Sequence, residues 1–181
     1  MTQHRKAAIL CFGLAMCFLP GVGHAAQQKA PAATAPIPVQ IVTARKVFIA
    51  NGGGDESRYD DFYTGGPDRA YNEFYASMKT WGRYELVAAP ADADLVFEIR
   101  LTVTDMQPTR GLADASPASD SQFRIVIRDV KTHETLWALT EHVQLALLQS
   151  NRDKNFEQAL VAVVAEVQRI AGPAAAAPAK N

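Results

Sequence analysis

Apolar and polar residues alternate most regularly over residues 95–104. Leu95, Phe97, Ile99, Leu101 and Val103 share one side, and Glu98, Arg100, Thr102 and Thr104 share the other. A period of two predicts a strand with one covered face and one wet face. The alternation resumes over residues 123–129, with Phe123, Ile125 and Ile127 inward and Arg124 and Arg128 outward. After a turn over 129–135 it returns in 136–145. There Trp137, Leu139, Val143 and Leu145 share a parity that Glu141 interrupts. Either a bulge shifts the register or Glu141 lies beyond the covered part of the sheet. Two shorter strands are predicted at 46–50, stopped by Asn51-Gly52-Gly53-Gly54, and at 84–88, with Ile41 and Val42 extending or preceding the first. Residues 106–122 read as a polar loop.

Two stretches have the helical period instead. Gly66-Pro67-Asp68 opens a segment in which Ala70, Tyr71, Phe74, Met78 and Trp81 recur on one side, and Gly82 supplies a stop. The last helix is predicted to open near Asn155, which forms a capping-box pattern with Gln158. Phe156, Leu160, Val163, Val164, Val167 and Ile170 make its apolar stripe up to Gly172-Pro173. The order is β-α-β-β-β-β-α. Two helices cannot cover both faces of such a sheet, and the alternating strands do not require it. The fold class expected is α+β or α/β, a two-layer sandwich with a mixed four- to five-stranded sheet and both helices on one face.

The ends have a different texture. His4, Arg5 and Lys6 precede an apolar run over 7–19, then Pro20-Gly21 and the small residues before Ala25. That order predicts a secretory signal peptide over 1–25. Residues 26–40, rich in Ala, Pro and Gln, read as a tether, 41–172 as one α/β domain and 173–181 as a disordered tail. Cys17 sits in a weak lipobox-like context, Leu14-Ala15-Met16-Cys17, so lipid anchoring at Cys17 is the minor alternative to a periplasmic or secreted chain. No stable membrane span is expected after cleavage.

Removing that leader changes the chemistry available. Both cysteines of the 181-residue chain, Cys11 and Cys17, lie within it, so the exported form would have no thiol and no disulfide. With Arg5 and Lys6 gone, 16 basic residues face 19 acidic ones, a net charge of −3. That balance excludes nucleic acid as the expected partner. His133 and His142 are the histidines left, and neither has metal or triad spacing, so no catalytic residue, metal or cofactor is assigned. There is no G-x-S-x-G, H-E-x-x-H or P-loop pattern. The glycine run after the first strand is not a phosphate cradle, because a long acidic segment separates it from the next helix.

The segment 51–66 is longer than a connection requires and mixes aromatics with carboxylates. Asp55, Tyr59, Asp60, Asp61, Phe62 and Tyr63 are the candidate binding residues, since aromatics offer contact area at small entropy cost. If so, Tyr59→Ala with Tyr63→Ala abolishes binding and leaves the melting temperature nearly unchanged. The outward stripe Glu98, Arg100, Arg124 and Arg128 is expected to form cross-strand ion pairs, with the polar sheet face as a second contact surface for another copy or another protein. Asp60, Asp61 and Asp105 could instead serve as hydrolase carboxylates.

Two short motifs carry a resemblance. Ala93-Asp94-Leu95-Val96 opens a strand, and Arg128-Asp-x-Lys-Thr-x-x-x-Leu-Trp137 joins two strands through a turn. Both resemble small secreted or lipid-anchored bacterial envelope domains, with a layout similar to the amino-terminal domain of TolB and to curli-secretion lipoproteins. The resemblance implies an envelope interaction module without established catalysis and supplies no site residues. The function expected is an exported non-catalytic domain that binds a protein or envelope component, through 51–66 or the sheet face. The alternative is a carboxylate-dependent periplasmic hydrolase.

Overall fold

The computed structural model describes residues 35–54, 62–106 and 118–173. Within them the order is α1 (Val39–Thr43), β1 (Lys46–Gly54), α2 (Arg69–Trp81), β2 (Glu85–Leu86), β3 (Leu95–Met106), β4 (Ala118–Asp129), β5 (Thr135–Val143) and α3 (Gln149–Ala171). The strands form one mixed sheet ordered β2-β1-β3-β4-β5. β1 runs parallel to both β2 and β3, while β3–β4 and β4–β5 are antiparallel. The long helices pack on the same side, α2 over β1 and β3, α3 over β4 and β5. The expected two-layer arrangement holds, with a short α1 added.

The periodicity names the core correctly. Leu95, Phe97, Ile99 and Leu101 of β3 meet Phe123, Ile125 and Ile127 of β4, all at most 2% exposed. Phe74 and Met78 of α2 and Phe156, Leu160, Val163 and Val167 of α3 close the layer. Gly82 ends α2 in the left-handed conformation, φ 68°, and its N–H bonds the Met78 carbonyl.

Several boundaries differ from expectation, each for a tertiary reason. β1 continues through the glycine run to Gly54, because the run is a bulge: Asn51 pairs with Ile99 and Gly54 with Leu101, three residues against two. The backbone there presses on β3, where a Cβ on Gly54 would lie 2.7 Å from the Leu101 carbonyl oxygen. The Asn51 side chain braces the bulge, accepting from Gly53 N–H and donating to Asp68. β4 starts at Ala118, five residues earlier than its apolar pattern, because Ala118–Gln122 is paired with Thr102–Met106. β2 is shorter than the 84–88 predicted. Ile41 and Val42 form part of α1 rather than a strand. Ile41 is fully buried there, and its carbonyl accepts from the Tyr84 hydroxyl at 2.9 Å. Burial raises the Tyr84 pKa to about 12, with Arg83 opposing.

α3 begins at Gln149, not near Asn155, which lies inside it and donates its amide to the Gln144 carbonyl. Gln149, Arg152 and Asp153 of the first turns bond to residues 62–64 instead of serving as caps. Register settles the Glu141 question. Trp137, Leu139, Glu141 and Val143 stand opposite Ile127, Ile125, Phe123 and Ser121 without a break, and the register shift lies between Ile127 and Arg128. Glu141 is therefore an inward-facing carboxylate on an edge strand. That placement discourages edge-to-edge pairing with other sheets.

Candidate functional site

Of the six residues proposed for the acidic loop, Asp55, Tyr59, Asp60 and Asp61 lie outside the described residues. The other two are part of the packing. Tyr63 is 5% exposed, with its ring 5.2 Å from Phe156, which in turn meets Phe123 edge-on at 4.9 Å. Burial raises the Tyr63 pKa, with a hydrogen-bonding interaction with Ser121 opposing it. Phe62 is half-buried against the same cluster. The expectation that Tyr63 can be truncated without loss of stability is thus corrected: although it follows a polar acidic segment, its ring completes the core above α3.

The end of this segment is pinned from several sides. The Arg69 guanidinium, 10% exposed, bonds Glu73 at 2.6 Å, Asp153 at 2.9 Å and Glu157 at 3.2 Å, and lies 4.2 Å above the Phe156 ring. Asp153 also accepts from Thr64 N–H. Burial works against the ionised Asp153, yet this N–H, Gln149 and Arg69 hold its pKa below the ordinary carboxylate value. Next to it, Leu145, Leu147 and Leu148 in the β5–α3 connection are 56%, 97% and 64% exposed.

The two motifs behind the envelope resemblance prove to be scaffolding. Asp94 accepts from the N–H groups of Lys46 and Arg45, both at 2.9 Å, tying the start of β1 to that of β3. Asp129 accepts from Lys131 and Thr132 N–H at 2.8 Å, closing the turn in which His133 takes φ 61°. Backbone donors lower both pKa values, from Lys46 first at Asp94 and from Thr132 first at Asp129. Asp105 sits in β3 opposite Ser119.

The other side of the sheet is covered by no described helix. It presents a shallow depression of about 360 Å³ lined by Glu98, Arg100, Thr102, Gln122, Arg124 and Thr140, among others. The expected ion pairing is half realised. Arg128 meets Glu98 at 3.0 Å, a diagonal pair across β3 and β4. Arg100 and Arg124, however, stand directly opposite each other. The Arg100 Nε donates to the Gly52 carbonyl at 2.9 Å, and Arg124 has no carboxylate partner among the described residues. His142 faces this side, as its parity predicts, and its Nδ1 lies 2.9 Å from Asp120. The residue parity was legible; the pairing of two arginines required the register.

Among the described residues no group of three or more His, Cys, Asp or Glu is arranged to hold a metal ion, and no helix is long and apolar enough to cross a membrane. No family model matches the chain, and no curated protein matches it. Solved structures with a similar chain path include a PelC dodecamer from Paraburkholderia phytofirmans. It is 16% identical, with TM-score 0.44, over 77% of this chain and 95% of that one. A DUF330-family protein from Xanthomonas campestris is 14% identical, with TM-score 0.45, over 70% and 82%. An uncharacterised lipoprotein B from Nitrosomonas europaea is 12% identical, with TM-score 0.38, over 77% and 89%. None of these three is a TolB or curli-secretion protein, and no residue role is taken from them.

Proposed function

We propose that this chain is an exported, non-catalytic domain of the bacterial envelope that binds a protein component through the face of its sheet that no described helix covers. The basic, apolar and small-residue order of residues 1–25 supports export, and the strand-and-turn motifs at 93–96 and 128–137 support the envelope setting. The observation that carries the binding reading is the unneutralised pair Arg100 and Arg124 in an open, polar depression. Like charges directly opposite on neighbouring strands oppose sheet stability, and the fold does not need them, since the neighbouring outward pair, Thr102 and Gln122, is neutral.

A photo-crosslinking residue tests this when placed at Thr140, beside Arg124, or at Val161, exposed on α3. The expected result in intact cells is a discrete adduct from 140 and none from 161. Adducts from 161 alone, or from neither, overturn the proposal. A second reading is favoured by the exposed Leu145, Leu147 and Leu148 of the β5–α3 connection, since exposed apolar side chains grouped together mark interaction sites. It predicts adducts from position 147 instead. The hydrolase alternative predicts turnover that Asp61→Asn abolishes.

A further inference from the structure

We propose that the sheet face covered by no described helix holds a carboxylate site centred on Arg100 and Arg124, and that its occupant is an acidic polypeptide segment of a partner protein. This rests on the binding reading above and gives it a chemistry. Along β3 and β4 the other outward charges have partners, Arg128 with Glu98 at 3.0 Å and Asp120 with His142 at 2.9 Å. The directly opposed arginines have no such partner among the described residues. The Arg100 guanidinium is held by the Gly52 carbonyl, which engages Nε and does not occupy the two terminal nitrogens. That close approach depends on residue 52 being glycine, because a Cβ there would lie 2.9 Å from Glu98 Cγ and 3.0 Å from the Ile99 carbonyl oxygen. The second guanidinium, on Arg124, has no carboxylate partner among the described residues, and the Thr140 hydroxyl adds a neutral donor opposite it. Two planar cations and a hydroxyl lining one depression suit a carboxylate, which accepts several charge-assisted bonds at once.

Charge and shape narrow the occupant. A second copy packed face to face would set arginines against arginines, since a two-fold contact presents the same patch twice. A sugar polymer would want an aromatic platform, and the depression is lined by no aromatic ring. A dense polyanion such as polyphosphate would run into Glu98 on one side and Asp120 on the other, the latter already bonded to His142 and Gln122. An extended acidic peptide spaces its like-facing carboxylates roughly 7 Å apart. It can therefore seat one between the arginines and direct the next past the flanking acids.

The test is fluorescence anisotropy of labelled hexaglutamate with the purified protein, comparing R100Q, R124Q and the charge-matched control K79Q on the exposed side of α2. Hexaglutamine, inorganic phosphate and polyphosphate serve as competitors, and circular dichroism confirms folding. Each arginine variant is expected to weaken hexaglutamate binding by about tenfold, the loss of one charged hydrogen-bonding group. K79Q leaves it within about twofold, as expected for an exposed charge distant from the site. Absence of hexaglutamate binding, an equal loss in K79Q, or stronger competition by phosphate or polyphosphate overturns the inference. A crosslinked adduct at Thr140 that persists when hexaglutamate fails removes only this inference. Loss of both removes the binding reading as well.

Discussion

Tyr63 and Arg69 illustrate how individual side chains near an acidic loop can be structural. Tyr63→Ala removes a ring packed at a tilt against Phe156 and leaves a void over α3. A cost of about 3 kcal/mol is expected for such a buried aromatic truncation, read as a lowered denaturant midpoint, with Tyr63→Phe retaining most of the stability. Arg69 draws three carboxylates and the Phe156 ring to one guanidinium. The contact of Arg69 with Glu73 is local, a helical i,i+4 pair. Asp153 lies 84 residues away, and its contact depends on how α2 and α3 lie on the sheet.

At the level of elements, the glycine run after β1 has a packing explanation. Gly54 approaches β3 so closely that Gly54→Ala must move backbone rather than a flexible side chain. The expected cost is roughly 1–3 kcal/mol, by the same argument as overpacking a core, measured as a fall in melting temperature. The pattern Asn51-Gly-Gly-Gly is legible as a strand end, and that reading fails because a bulge also needs glycine. The polar start of β4 was hidden for a related reason. Residues 118–122 lack strand-forming character, and their partnership with β3 across the hairpin supplies what propensity does not. The helix of 149–171 shows the reverse case: its apolar stripe was plain, while its first turn is held by Phe62 and Thr64.

For the whole molecule, the lowered carboxylate pKa values predict how stability depends on pH. Asp94, Asp129, Asp153 and Glu166 each titrate below their ordinary values when folded. A group depressed in this way contributes stability above its unfolded pKa, and that contribution is lost as pH falls through the folded value. The denaturant midpoint is therefore expected to stay level down to about pH 5 and decline below about pH 4. Asp94→Asn should lower stability at neutral pH and make the acid decline shallower. An unchanged slope would mean that the ties from Lys46 and Arg45 to Asp94 contribute little. One face of the sheet supplies the core for both helices, while the other is covered by no described helix and has two arginines opposed. This division makes that second face, rather than the helical layer, the candidate for recognition.

Local sequence was enough to identify the inward residues of β3, β4 and the two long helices, the two-layer class and the expectation of export. These follow from local periods of 2 and 3.6 and from the order of basic, apolar and small residues, which need no knowledge of distant partners. The tertiary structure was needed to show that Tyr63 is core, that Asp94 anchors the start of β1, that the glycine run is a bulge, and that Arg100 faces Arg124. Each depends on strand order and register, which bring together residues 20 to 90 positions apart. Alternation along one strand records which side a residue faces, but not which residue of the next strand stands beside it.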